Sequence, residues 1–270
     1  MDTTDEVERL LLDGQLDAAI TLLNGEVRGR PMATEPRARL AELLSIAGNL
    51  ERADVVLGAI STIDPGAAVG VALFRQLVRA EQARQQFFTE GRLPELVAKP
   101  DTVTELELRA AIALREGNTA EASARLLERE AARAPVAGLA DGVPFDDFRD
   151  LDDLSAGHLE VLTPNGKYFW IPVASVTSIE FRKPERRRDL LWRRAHIQVT
   201  GGPEGEVYLP STYFSPEATA HQRLGHQTDY VQEGNGAVLG RGLREYLVGN
   251  QTQTILELRK LEFSAQPASP

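Results

Sequence analysis

The chain has no cysteine among its 270 residues. Disulfides, thiolate zinc sites and a thiol nucleophile are therefore excluded, and the composition fits a reducing compartment. No apolar run approaches the roughly 20 residues that a membrane-spanning helix needs. The start, residues 1–6, is acidic and has no basic segment followed by an apolar one, so we expect no secretory leader. These absences predict a cytoplasmic protein without a membrane segment.

The sequence also lacks the common signatures of catalysis and of metal or cofactor binding. It has neither a Gly-x-x-x-x-Gly-Lys-Ser/Thr phosphate loop nor a Gly-x-Ser-x-Gly nucleophile elbow. No two histidines have the i, i+4 spacing of a helical zinc site. The aspartate cluster at residues 146–153 does not match a calcium loop, and a turn or short helix is the better interpretation. We therefore predict no catalytic, cofactor-binding or metal-binding residues. The four histidines are His158, His196, His221 and His226.

Positive charge is scarce relative to negative charge. The formal net charge of −10 opposes attraction to nucleic acids and to anionic membranes, so neither is expected as a partner. The exception is a basic segment at residues 182–194. It is either a solvated loop whose arginines pair with acidic residues elsewhere in the chain, or a docking surface for an acidic protein, or, less consistently with the charge, a nucleic-acid site. Its candidate partner-binding residues are Arg187, Arg188, Trp192, Arg193 and Arg194.

The first half is rich in Leu, Ala, Glu and Arg, with apolar residues three and four positions apart, which predicts amphipathic helices. Three segments share one frame, in which an alanine follows a glycine by five positions and a proline comes later. The first two glycines are 34 positions apart, the tetratricopeptide period. The frames start at Gly14, Gly48 and Gly117, continue to Ala19, Ala53 and Ala122, and reach Pro31, Pro65 and Pro135.

Each residue type in this frame has a structural reason. Glycine closes a helix in the left-handed conformation, alanine lets two helices approach closely, and proline ends the second helix. The frame therefore predicts stacked helix pairs, a tetratricopeptide-like superhelix with a concave groove that can receive a peptide or a partner helix. A generic helical bundle would explain the helices equally well, but it would have no groove.

The third unit departs from the frame, because Gln82 and Phe87 occupy the glycine and alanine positions. Residues 67–88 instead predict one long helix with Phe74, Phe87 and Phe88 in the core. Its charged residues are expected on a solvated face. They are Arg75, Arg79, Glu81 and Arg84.

The second half has a different composition. Residues 134–144 contain the proline, glycine and small residues of a linker, so we predict a helical domain at 1–135 and a β-rich domain at 145–265. Short runs of β-branched and aromatic residues then follow, with an Asn165-Gly166 pair that predicts a hairpin. The fold class is α+β with a small antiparallel sheet. Residues 216–242 receive no assignment. Predicted strands lie near 159–163, 167–172, 176–182, 194–200, 205–210, 243–248 and 254–261.

Several long and unusual strings closely resemble the ImpE family, also called TagJ. The resemblance covers essentially the whole chain, since the helical repeat ahead of these strings fits as well. The strings lie at 146–153, 165–172, 188–195, 205–210, 223–225 and 228–230.

The resemblance implies a non-catalytic, cytosolic adaptor of a bacterial type VI secretion system. The resemblance also implies binding to the N-terminal helix of the small sheath subunit, TssB, and a link to sheath recycling by the ATPase ClpV. A partner helix agrees with the groove that the repeat predicts. The alternative from a different class is a hydrolase or sugar-binding enzyme with its site in the β-rich domain. A polar pocket with convergent carboxylates would favour that alternative.

Overall fold

The structure is a computed structural model that describes residues 3–233 and 236–264. Residues 1, 2 and 265, which belong to the predicted domains, lie outside this part. The α+β prediction is confirmed: a helical first half precedes a β-rich second half with antiparallel sheets. None of the helices within the described ranges is long and apolar enough to span a bilayer.

Nine α-helices are present in the described residues. They are α1 (Thr3–Leu12), α2 (Leu16–Gly29), α3 (Glu35–Ile46), α4 (Leu50–Ile63), α5 (Ala68–Glu90), α6 (Thr102–Arg115), α7 (Thr119–Ala132), α8 (Arg188–Leu191) and α9 (Ala220–Arg223). Short 3-10 turns occupy Pro65–Ala67, Asp153–Ser155 and Val173–Ser175.

Fourteen strands are found in the same ranges. They are β1 (Glu95–Leu96), β2 (Gly138–Ala140), β3 (Val143–Phe145), β4 (Phe148–Asp150), β5 (His158–Leu162), β6 (Tyr168–Pro172), β7 (Val176–Phe181), β8 (Trp192–Val199), β9 (Glu204–Pro210), β10 (Thr228–Glu233), β11 (Ala237–Gly242), β12 (Glu245–Val248), β13 (Gln251–Thr254) and β14 (Lys260–Phe263).

The repeated glycine and alanine frame forms helix pairs, as predicted. Gly14, Gly48 and Gly117 all have positive φ angles, between 69° and 80°. The residue after each glycine donates its N–H back to the closing turn of the preceding helix, for example from Asn49 to the Leu44 carbonyl at 2.8 Å. The alanines of the frame have no exposed surface. The local chemistry of the frame therefore sets the geometry of three helix pairs.

Two glycine substitutions test this geometry. Gly117→Ala should lower the free energy of unfolding by about 1–2 kcal/mol, because Gly117 has a φ of 75° and an L-residue is strained there. Gly58→Ala should raise it by about 0.5–1 kcal/mol, because Gly58 lies inside α4. Neither added Cβ meets an atom within 4 Å, so packing does not confound the pair. Urea denaturation that gave both changes the same sign would contradict this explanation.

The long helix predicted for residues 67–88 is α5. It takes the place of a helix pair and ends at Gly91, which has a φ of 81°. Phe74 and Phe87 are buried in the core, as predicted, and Phe88 is partly buried.

A nine-stranded sheet dominates the second half, with strand order β1-β6-β5-β9-β8-β7-β14-β2-β3. All neighbours are antiparallel except β1 and β6, so a short strand from the helical half extends this sheet. The predicted hairpin at Asn165-Gly166 joins β5 to β6, and Gly166 has a φ of 83°. A three-stranded sheet (β13-β12-β4) and the β10–β11 hairpin complete the β-rich part.

Both faces of the central strands are buried. One face, which includes Trp170 and Trp192, joins the core of the helical half, while the opposite face, which includes Ile171 and Ile197, forms a second core. Strand alternation explains this arrangement, since successive side chains point to opposite faces. The helical core is therefore shared with the sheet, and the proposed domain limits of 1–135 and 145–265 stay a prediction.

Several assignments differ from the sequence prediction. The predicted linker at 134–144 contains β2 and most of β3, and the aspartate segment at 146–153, predicted as a turn or a short helix, contains β4. The strand predicted at 254–261 is wrong in its middle, because β13 ends at Thr254 and β14 begins at Lys260. Ile255 and Leu258 between them are fully buried in the irregular connection, which gives this segment the apolar content of a strand. The unassigned residues 216–242 contain α9 and the β10–β11 hairpin, except for residues 234 and 235, which lie outside the described ranges.

Candidate partner-binding cleft

A cleft runs along α5 where the helical half meets the β-rich half. It consists of three cavities of about 610, 270 and 210 Å³. Phe214 lies in the wall of all three, so the cavities adjoin one another. The other walls include residues 47–50 at the α3–α4 turn and residues 82–90 of α5. A depression on the helical repeat is thus present, but the β-rich half supplies one of its sides.

Neutral hydrogen-bonding side chains line the α5 wall. Gln82, Gln85 and Gln86 lie on one face of the helix because they are three and four positions apart, and Asn49 lines the same cavity. Phe214 stacks on Phe88 with ring centroids 4.6 Å apart and planes 8° apart. The cleft therefore offers amide donors and acceptors beside an aromatic surface, which suits a peptide segment.

A network of buried charges lies behind the smallest cavity. Glu160 in β5 accepts hydrogen bonds from Arg84 of α5, at 2.8 Å from Nε and 3.0 Å from Nη2. Arg244 donates to the same carboxylate and, at 2.7 Å, to Asp150. The Tyr168 hydroxyl also donates to Glu160. Arg84 also donates to Glu81 at 3.0 Å, so two guanidinium groups and three carboxylates form one network that joins α5 to the sheet.

Burial and pairing act against each other on these carboxylates. Burial alone would raise the pKa of Glu160, but Arg84 and Arg244 outweigh it and hold this pKa well below its usual range. Burial, together with the like charge of Asp150, raises the pKa of Asp152 to about 7. Asp152 accepts three backbone N–H bonds, from Leu154, Ser155 and Gly240, so both of its oxygens are occupied.

A second buried contact fixes α6 to the sheet. Glu107 accepts the backbone N–H of Gly157 at 2.8 Å, and its other oxygen lies 2.7 Å from His158 Nδ1. Arg129 Nε is 3.8 Å from the same carboxylate, and Trp170 stacks on the imidazole with centroids 3.6 Å apart. The helices that line the cleft are therefore held in place by contacts beneath it.

Sequence reasoning missed this network. The prediction that Glu81 and Arg84 lie on a solvated face is wrong, because both are buried against the sheet. A signal was available: Arg84 lies seven positions after Leu77 and three before Phe87, on the buried face of α5. Arg75 and Arg79 do reach solvent, and Arg75 pairs with Asp54 at 2.7 Å.

Trp192 does not provide the exposed apolar surface expected of it. It is 1% exposed, packs edge-on against Phe74 with centroids 5.9 Å apart, and donates its Nε1–H to Glu81 at 3.1 Å. Trp192 therefore contributes to the contact between α5 and the sheet.

The predicted binding arginines are dispersed. Arg187 pairs with Glu8 of α1, and Arg194 pairs with Glu206 of β9. These contacts match the alternative in which the basic segment pairs with acidic residues elsewhere in the chain. The segment as a docking surface stays a prediction. Two further arginines complete the set: Arg188 lies 5.3 Å from the Phe74 ring and 3.8 Å from Asp189, and Arg193 is buried.

The histidines are not gathered around a common point. The rings of His221 and His226 are 5.9 Å apart, His196 pairs with Glu204 at the surface, and His158 is in the core. Within residues 3–233 and 236–264, no group of three or more histidine, aspartate or glutamate side chains could hold a metal ion.

Comparison with known proteins connects this architecture to one family. A family model described as ImpE protein matches residues 142–262. The type VI secretion system accessory component TagJ of Pseudomonas aeruginosa is 29% identical over 266 residues, which cover 97% of this chain and 92% of that protein. The crystal structure of a protein from Vibrio parahaemolyticus superimposes with a TM-score of 0.90 at 30% identity, over 97% of this chain and 99% of that one.

Proposed function

The chain belongs to the ImpE family, and from this membership we propose that it is a non-catalytic adaptor of a bacterial type VI secretion system. The Pseudomonas aeruginosa relative is named as an accessory component of that system. An accessory role requires binding to other components. The observation that supports it most directly is the cleft along α5.

We assign the N-terminal helix of the small sheath subunit, TssB, to this cleft. An amphipathic helix needs an apolar surface for one face and polar groups at its edges. Phe88 and Phe214 supply the apolar surface, and the carboxamides of Gln82 and Gln85 supply the polar groups. Bound in this way, the protein would assist sheath assembly or the recycling that ClpV drives, and its location would be the cytoplasm.

The negative charge of the cleft favours a partner helix that carries a basic side chain. Glu51 and Glu90 line the largest of the three cavities of the cleft and are both exposed. Neither forms an ion pair with another described residue, so a basic side chain on the bound helix would find a counter-charge there.

Buried carboxylates near the cleft favour binding over catalysis. A general base needs a carboxylate that is free to take a proton from a substrate. Glu160 and Asp150 are engaged by arginines, and Asp152 is engaged by three backbone N–H groups. The rival hydrolase or sugar-binding enzyme would need such a free group in the β-rich half.

Titration calorimetry on the full chain tests the proposal. A peptide that copies the first helix of the cognate TssB should bind, and Phe214→Ala should weaken it roughly thirtyfold, the effect of losing about 2 kcal/mol at an aromatic anchor. Leu139→Ala is the matched control, because Leu139 is an exposed apolar residue of β2 outside the cleft. Its affinity should equal that of the wild type. Absence of peptide binding by the wild-type chain would refute the proposed partner.

A further inference from the structure

Among residues 3–233 and 236–264, the buried arginines are paired, with one exception. Arg84 and Arg244 each bond to two carboxylates, and Arg129 lies beside Glu107 and Glu130. Arg193 in β8 is equally enclosed at 3% exposure. Its side chain forms no hydrogen bond or ion pair with any other residue in the described ranges, and its Nε and Nη1 are buried without a partner.

An unpaired guanidinium is unfavourable in this position. Donors that lose water without gaining an acceptor destabilise the folded state, and charged donors do so most. Burial accordingly lowers the pKa of Arg193. The Phe181 ring, 6.0 Å from Cζ, is a weak substitute for a hydrogen-bond acceptor.

The nearest source of negative charge is already engaged. Asp189 is the carboxylate that acts on Arg193, but it lies beyond ion-pair distance. One oxygen of Asp189 accepts the backbone N–H groups of Glu185 and Arg186, each at 3.0 Å, and the other lies 3.8 Å from Arg188. The pairing that Arg193 lacks must therefore come from outside this cluster.

The chain on either side of Arg193 is rich in cationic residues, of which Arg182 and Arg194 are paired with Glu180 and Glu206. In the β7–β8 register Phe181 pairs with Ala195, and the Arg182 N–H donates to the Arg194 carbonyl at 2.8 Å. The β7–β8 ladder ends at Phe181, and the same register continued by two residues would place Lys183 opposite Arg193. Lys183 is exposed, and the described residues offer it no ion pair. A single anion at this corner would meet two cations.

We propose that Arg193, with Lys183 beside it, is a binding site for one carboxylate side chain of a protein partner, separate from the cleft. A guanidinium fork matches the two oxygens of a carboxylate. The net charge of −10 opposes a polyanion but leaves a single carboxylate acceptable. The site does not depend on the partner assigned to the cleft.

Thermal unfolding of the full chain gives the first test. Arg193→Met keeps an apolar stem and removes an unpaired buried charge, so it should raise the melting temperature by about 2–4 °C. Arg129→Met is the control, because it breaks a paired buried arginine and should lower the melting temperature. If Arg193→Met also lowered it, the guanidinium would be a structural group and the proposal would fall.

The ligand is tested by following the Nε–H resonance of Arg193 by NMR, identified by its loss in Arg193→Met. Sodium acetate and inorganic phosphate are titrated separately, with sodium chloride at matched ionic strength as the reference. A saturable shift with acetate that Lys183→Gln weakens severalfold supports a carboxylate site. A shift with phosphate alone, or with neither anion, overturns it.

Discussion

Arg84→Met should lower the free energy of unfolding by about 3–5 kcal/mol, because removing one partner of a buried ion pair leaves the other charge uncompensated. Glu160 accepts hydrogen bonds from Arg84 of the helical half and from Arg244 of the β-rich half. The substitution therefore removes the contact that Arg84 makes between α5 and the sheet. The substitution also removes the hydrogen bond that Arg84 donates to Glu81 at 3.0 Å. Chemical denaturation followed by tryptophan fluorescence would measure the loss.

The control is Arg79→Met on the same helix. Arg79 is exposed, and a surface substitution of this kind changes stability by no more than about 0.5 kcal/mol. A double variant, Arg84→Met with Glu160→Gln, should recover part of the loss, since it removes both charges of the pair. If Arg84→Met cost as little as Arg79→Met, the buried network would not be what holds the two halves together.

Local chemistry made the helical half predictable. A glycine, an alanine five positions later and a proline beyond them specify a turn, a close helix approach and a helix end. The structure has all three at Gly48, Ala53 and Pro65. Each of these requirements is met by residues near in sequence, so spacing alone reveals it.

The joint between the halves was not predictable in the same way. Glu160 is 76 positions beyond Arg84, and without knowledge of this partner a charged residue on a helix is expected in water. Trp192 was misjudged for a related reason. Its arginine neighbours suggested a surface, but strand alternation puts Trp192 against α5 and Arg193 on the opposite side of the sheet.

The candidate cleft was predicted in kind but not in composition. The repeat indicated a groove on the helical half, and Gln82, Gln85 and Gln86 of α5 line the cleft. The aromatic contribution of Phe214 comes from an irregular segment after β9 that has neither helical nor strand periodicity. Its proximity to α5 is decided by the packing of the sheet on that helix, which no local pattern records.

The second large effect is expected in the pH dependence of stability, where Asp152→Asn should differ from the wild type. An aspartate in an unfolded chain ionises near pH 4, whereas burial and Asp150 raise the pKa of Asp152 to about 7. Between these values the folded protein keeps a proton that the unfolded chain releases. This group therefore makes stability fall as the pH rises from about 4 to about 7, by up to about 4 kcal/mol, and adds no further change above pH 7.

Asp152→Asn removes that proton and its pH dependence. The variant loses one acceptor for the Gly240 N–H, so its absolute stability is not the informative quantity. What should change is its stability relative to the wild type, which should rise steadily between pH 4 and pH 7 in urea denaturation at constant ionic strength. Leu154→Ala is the matched control, because it destabilises the same buried turn without removing a titrating group. Its difference from the wild type should be the same at every pH. A flat difference for Asp152→Asn as well would mean that Asp152 is ionised in the folded protein throughout this range, stabilised by its three backbone N–H donors in spite of burial and the neighbouring carboxylate.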